Sequence, residues 1–356
     1  MQRPVYPLKA RLLRSVLDVL YYTGVYRLFR PRWSGVGAIF TLHRVRNSPD
    51  GNPFSPNRIL DITPAFLEAT IRHVLDLGCE IVSLDQVRQR LIDRDFKRKF
   101  VCFTFDDGYT DHYTDALPIF RKYDAPFTIY VTTGFTDGMA IFWWQHLENT
   151  IAQEKRISLR VGDRDFSLMT RDTAEKHKAF ASIYWELRRA PLPVQQAAVR
   201  QLIDTYEIDN QAFCEQSALS WEMLAELSKS GLVTLGAHTI NHYAMSKLSA
   251  EDMRREAGAS RDILADRLGS RPAHFAYPFG DRTSAGTRDF ELIRDLGFST
   301  ATTTRKGVIF PEHVDHLHAL PRVSLNGDYQ TQRYIPVFLS GAPFALWNRF
   351  RKLDVG

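Results

Sequence analysis

The sequence predicts an α/β fold with a largely parallel sheet or barrel. Two observations lead there. From Val36 onward, short apolar β-rich runs alternate with helical patterns, and signals for helix ends fall between those runs. The 356 residues, 44% hydrophobic and 12% aromatic, carry enough apolar material for one large packed domain or two ordinary ones.

The candidate strands are Ala38–Leu42, Glu80–Leu84, Phe100–Phe105, Phe127–Thr132, Val233–Gly236, His274–Tyr277, Phe298–Thr302 and Pro321–Leu325. Eight strands separated by helices do not fit a small sandwich. Between them, Pro64 marks a first helical turn and Gly78 follows its end at Leu77. Ser249 reads as an N-cap with Gly269 beyond Leu268, and Gly297 closes a helix near Phe290–Leu296. The rhythm breaks over Asp137–Ser220, read as a mainly helical insertion. There Thr173–Arg189 and Pro193–Tyr206 are charged helices punctuated by Pro191 and Pro193, and Gly162-Asp163 is the turn of a small hairpin over Ile157–Leu168. The predicted division is a basic amphipathic arm at 1–35, barrel segments at 36–136 and 221–330 around the insertion at 137–220, and an amphipathic tail at 331–356.

Charge is uneven. Residues 1–35 hold seven Lys/Arg against Asp18 alone, while the remaining chain is close to neutral, so the sequence pI of about 9.0 describes the arm. That argues against nucleic acid as a partner, which calls for basic residues on the folded body. In the arm, Leu12, Val16, Val19 and Leu20 recur at helical spacing over Leu8–Phe29. Three uses stay open: packing on the protein's own body, contact with a membrane surface, or contact with another subunit. The stretch is too short and too charged for a span, and it lacks the h-region and cleavage site of a secretory signal. Cys79, Cys102 and Cys214 lie too far apart in sequence for a disulfide framework or a CxxC zinc knuckle. The expected location is cytoplasmic. The arm, together with Phe344, Leu346, Trp347 and Phe350 beside Arg349, Arg351 and Lys352, allows peripheral contact with the inner membrane face.

Three motifs carry chemistry. Thr104-Phe105-Asp106-Asp107-Gly108-Tyr109 sets two adjacent carboxylates at the C-terminal end of a strand, where catalytic side chains gather in parallel α/β folds. His238-Thr239-Ile240-Asn241-His242 follows Val233–Gly236, and histidines at i and i+4 on one side of a helical turn can reach one ion. Phe275-Ala276-Tyr277-Pro278-Phe279-Gly280-Asp281 ends a strand in a Pro-x-Gly turn whose backbone N–H groups can face an oxyanion. A carboxylate with two histidines is an open divalent-metal set.

In this order the motifs resemble the NodB-homology polysaccharide deacetylases, carbohydrate esterase family 4, over about Val36 to Gly327. TFDDG followed by HTxxH is specific to that family. The resemblance implies a distorted (β/α) barrel of about seven or eight strands that removes N-acetyl groups from GlcNAc-containing oligomers or polymers, chitooligosaccharides and exopolysaccharides among them. It further implies Asp106 as general base, Asp107, His238 and His242 as ligands of a divalent metal, Zn²⁺ by expectation, and the Phe279 N–H as oxyanion donor. The implied reaction is hydrolysis of the acetamido group by metal-activated water.

The chain departs from the family pattern twice. Ala276 stands where the family often has an arginine paired with the base, and Arg322 is the candidate replacement. No clean Leu-x-His motif supplies the general acid, for which His318 is favoured over His316. His43, after the first strand, either lines the sugar site or closes the barrel mouth. Trp143 and Trp144 stack on sugar rings or pack the insertion core, and Tyr277 flanks the third motif. Two other readings stay open: an O-acetyl esterase or other linear-amide hydrolase on the same metal site, and a glycan-binding barrel with little turnover.

Overall fold

The computed structural model describes residues 8–47 and 52–356. Seven parallel strands close into a barrel: β1 (Gly37–Leu42), β2 (Phe100–Phe105), β3 (Phe127–Val131), β4 (Val233–Ala237), β5 (His274–Ala276), β6 (Thr300–Lys306) and β7 (Leu320–Ser324). Around the barrel the order is β1-β7-β6-β5-β4-β3-β2, and β2 returns to β1 with Gly37 opposite Phe100 and Leu42 opposite Phe105. The expected distorted (β/α) barrel is therefore present.

The predicted strand Glu80–Leu84 shrinks to Glu80–Ile81, paired with the start of β2. Ser83 and Gln86 form a capping box that starts the helix Leu84–Asp93, so the apolar run divides between two elements. The other strand ends differ from expectation by a few residues at most.

Every residue of β1 and β2 is buried, as a parallel sheet covered by helices requires. Ile39, Cys102, Tyr130, Ala276 and Leu320 share one apolar cluster, while Phe40, Phe103, Ile129, Phe275 and Tyr277 belong to the larger cluster with the helices. The two-residue period separates an inner face from an outer one. At Gly236 of β4 a Cβ would lie 2.5 Å from the Tyr130 ring, so glycine is what lets that ring fill the barrel.

Between β3 and β4 the chain forms helices Trp143–Gln153, Thr173–Arg189, Leu192–Thr205 and Asn210–Ser217 and the antiparallel hairpin Arg156–Val161/Arg164–Met169. Gly162, at φ 61°, makes the hairpin turn. Leu147, Ile157, Ile183 and Leu202 join these elements in an apolar cluster of their own.

The arm differs from the single helix expected over Leu8–Phe29. It forms helices Leu8–Tyr22 and Tyr26–Trp33, separated at Gly24 (φ 70°). Leu17 and Leu20 pack inward, whereas Leu12, Val16 and Val19 face solvent. Residues 1–7 of the predicted arm lie outside the described residues. The inner face rests on Tyr334–Leu339, where Arg333 pairs with Asp18 at 2.8 Å. Among the described residues no helix is long and apolar enough to cross a membrane.

Candidate active site

Asp106 directly follows β2 on the parity of Cys102 and Thr104, so its side chain continues the barrel's inner row. Arg322 of β7 meets it with two parallel bonds, Nη1 to Oδ1 at 2.7 Å and Nη2 to Oδ2 at 2.6 Å. The same guanidinium donates to Thr104 Oγ1 at 3.1 Å and to the Thr303 carbonyl at 2.9 Å, which fixes the fork's orientation. Burial would raise the Asp106 pKa, but Arg322 outweighs it and holds the carboxyl below its ordinary value. The cation missing at Ala276 thus comes from two strands away.

Asp107 adopts a left-handed backbone (φ 73°), as does Gly108 (φ 79°), and this turn separates the two carboxylates. Asp107 Oδ1 lies 3.1 Å from His242 Nε2 and 3.5 Å from His238 Nε2. Ligand atoms of all three residues fall within 4.8 Å of one another, and all three residues are buried.

The histidines do not converge on a helical turn, contrary to the i, i+4 expectation. His238 follows β4, and the chain then bends through left-handed Thr239 (φ 67°) and His242 (φ 57°). Glu256, from the helix Ala250–Leu268, accepts from the Ile240 N–H at 3.0 Å and the Asn241 N–H at 2.9 Å. The Asn241 side chain adds a bond at 2.6 Å, and Gly134 donates its N–H to the Ile240 carbonyl at 2.9 Å. Glu256 was missed from sequence; its only signal is a carboxylate on the face that also carries buried Met253, Ala257 and Leu264.

These donors fit a metal. His238 Nδ1 bonds the Ala276 carbonyl at 2.8 Å, which assigns the proton to that nitrogen and leaves Nε2 as a lone pair. That lone pair faces Asp107 Oδ1, a buried oxygen that accepts no hydrogen bond. A cation between them satisfies both.

Around the three side chains lie Phe135, Trp144 and Phe279, with ring centroids 5.9, 4.9 and 4.8 Å from that of His242. Phe279 is left-handed (φ 62°), and its carbonyl accepts from Thr304 Oγ1 at 2.6 Å. Arg188, from the helix Thr173–Arg189, stacks 3.6 Å over the Phe279 ring and bonds Asp281 at 3.1 Å, tying the segment between β3 and β4 to the third motif.

His43 follows β1, with Nε2 at 3.9 Å from Asp106 Oδ2 and its side chain 24% exposed. His112 bonds the His43 carbonyl, and Asp111 accepts from the Val45 N–H at 2.9 Å and from Arg44 Nε at 3.0 Å. Those contacts hold the turn that carries His43, and they too were missed.

Three expected site residues lie elsewhere. His318 precedes β7 and bonds the Phe298 carbonyl at 2.7 Å, at the N-terminal ends of β6 and β7, whereas the carboxylates and imidazoles follow the C-terminal ends of β2 and β4. Tyr277 continues the outer row of β5 and donates its hydroxyl to the His318 carbonyl at 2.9 Å. Trp143 packs 5.1 Å from Tyr184 in the core of the segment between β3 and β4, so its neighbour Trp144 is the tryptophan at the site.

Comparisons with known proteins agree with this architecture. The chain is 37% identical over 65 residues to the Bacillus subtilis (strain 168) protein named "Putative polysaccharide deacetylase YxkH", a match covering 18% of this chain and 23% of that relative. Among solved structures, Streptococcus pyogenes deacetylase PplD superposes with a TM-score of 0.54 at 18% identity, over 82% of this chain and 92% of that one. IcaB from Ammonifex degensii gives 0.53 at 19% identity, over 85% and 96%. These two likenesses concern the fold. The profile of the family described as "Polysaccharide deacetylase" matches residues 93–301, more than half of the sequence. The chain belongs to the polysaccharide deacetylase family.

Proposed function

We propose that this protein is a metal-dependent N-deacetylase that hydrolyses the acetamido group of GlcNAc-type residues in an oligomer or polymer. One observation carries the reading: the Asp107–His238–His242 donor set lies beside a carboxylate, Asp106, that Arg322 keeps ionised. A divalent ion held by the three donors, Zn²⁺ by the chemistry of an Asp/His₂ set, supplies polarisation of the acetamide carbonyl and a lowered pKa for water.

The chain's own residues do the remaining work. Asp106 accepts a proton from the attacking water, and its fixed fork with Arg322 leaves one geometry in which to do so. As the carbonyl carbon becomes tetrahedral, the Phe279 N–H donates to the developing oxyanion. The departing sugar nitrogen needs a proton before the C–N bond breaks. His43 is assigned that role in place of His318, because it is the partly exposed imidazole beside Asp106. The products are acetate and the free amine. Trp144 and Phe279 offer flat apolar faces to the sugar and acetyl groups.

The test is acetate release from chitooligosaccharides and from N-acetylated exopolysaccharide, with and without a chelator. Turnover that a chelator abolishes and a divalent ion restores supports the reading. Turnover indifferent to chelation, or retained by Asp106→Asn, overturns it.

A further inference from the structure

We propose that the N-terminal helix pair and the C-terminal tail form a docking surface for an anionic lipid bilayer. This inference does not depend on the chemistry at the metal site. Helix Leu8–Tyr22 has two apolar faces. One, with Leu17 and Leu20, is spent on the protein's own core. The other repeats Leu12, Val16, Val19 and Tyr22 at i, i+4, i+7 and i+10, a single helical face. It is open to solvent: Leu12 is 66% exposed, Val19 60% and Tyr22 73%. Packing on the core therefore leaves these residues unexplained, although Leu12, Val16 and Val19 belong, with buried Leu20, to the set whose spacing marks the helix as amphipathic.

The exposed strip continues beyond this helix. Tyr21 stacks on Tyr26 at 6.1 Å, joining it to helix Tyr26–Trp33, where Leu28 is 79% exposed. Phe29 and Trp33 then contact exposed Phe350, at 6.5 and 5.6 Å between ring centroids, bringing in the tail.

Charge identifies the occupant. Arg11, Arg27, Arg30 and Arg32 on the helices and Arg349 and Arg351 on the tail are exposed. The acids of these segments among the described residues are already engaged: Asp18 by Arg333 at 2.8 Å, and Asp354 by Arg282 at 2.8 Å. Exposed aliphatic and aromatic side chains fringed by arginines, with the nearby carboxylates neutralised, match the boundary between acyl chains and anionic headgroups. Among the described residues no helix is long and apolar enough to span, and the contact proposed is a peripheral one.

Vesicle co-sedimentation of the full chain tests this. Binding is expected to phosphatidylglycerol-containing vesicles, weaker binding to phosphatidylcholine alone, and a decline as salt rises. Leu12→Glu/Val19→Glu and, on the other helix, Leu28→Glu should each abolish sedimentation while keeping the wild-type melting temperature. Arg11→Gln/Arg30→Gln should weaken it by about thirtyfold, at about 1 kcal/mol for each of the two charges. Absence of vesicle binding, equal binding to neutral vesicles, or unchanged binding by the Glu variants overturns the proposal. So does a wild-type dimer that Leu12→Glu/Val19→Glu dissociates without any vesicle binding, since the face then belongs to a second copy.

Discussion

Arg322 grips Asp106 with both terminal nitrogens, and this pair joins β7 to the end of β2 in a fully buried setting. Removing one partner strands the other. Arg322→Met should cost about 3–5 kcal/mol and abolish turnover. Arg322→Lys keeps the charge but lacks the two-pronged geometry, so it should fall between wild type and Met in both melting temperature and acetate release. The double variant Asp106→Asn/Arg322→Met should be less destabilised than the sum of the single variants. Additive losses would mean that the pair does not act as a unit.

Gly134 and Glu256 hold the loop that carries the two histidines. A Cβ at Gly134 would lie 2.4 Å from the Ile240 carbonyl oxygen and 2.9 Å from Ala140 Cβ, so Gly134→Ala must push the loop away from β3. Glu256→Ala leaves the Ile240 and Asn241 N–H groups without their acceptor. Each change should lower metal affinity by about 10–100-fold, the range for loss of an outer support of a metal ligand. Metal titration of the purified variants is the measurement. Affinity equal to wild type in both would remove the loop from the account of the site.

These supports explain which parts of the site were legible in sequence. Asp106, Asp107, His238 and His242 sit in compact motifs immediately after strands, where local spacing and strand direction determine placement. Arg322 was reachable because the third motif lacks a cation. Glu256, by contrast, acts across 15 and 16 residues on Asn241 and Ile240, from a helix whose caps and spacing look ordinary. His318 misled because the resemblance calls for a late proton donor, although the expected strand Pro321–Leu325 already follows it, as β7 does. The arm was legible only in part: its spacing marks a helix and leaves its use open, but it shows neither the break at Gly24 nor which face is buried. The barrel itself was legible because fully buried parallel strands read as continuous apolar runs.

His43 and His318 separate two assignments of the proton donor. His43→Ala should reduce kcat by about 10²–10⁴-fold while bound metal is retained, the usual scale for loss of a positioned acid. His318→Ala should leave kcat within about twofold, because its ring is engaged with the Phe298 carbonyl away from the donor set. A large kcat loss in His318→Ala with full metal content would reverse the assignment.

His313 should make the fold sensitive to acid. The residue is fully buried, with Nδ1 3.0 Å from the Phe310 backbone nitrogen and 3.2 Å from the Phe310 carbonyl oxygen. Burial pushes its pKa down to about 4, against roughly 6.5 in an unfolded chain. Between those values the unfolded state binds more protons, so stability rises with pH. The contribution is complete above about pH 6.5 and disappears as pH falls through about 4, amounting to on the order of 3 kcal/mol. Burial lowers His112 and His146 as well, adding slope of the same sign. His313→Asn should therefore shallow the fall in melting temperature across this window without removing it, even if the variant is less stable at neutral pH. A slope equal to wild type would show that the proton goes elsewhere.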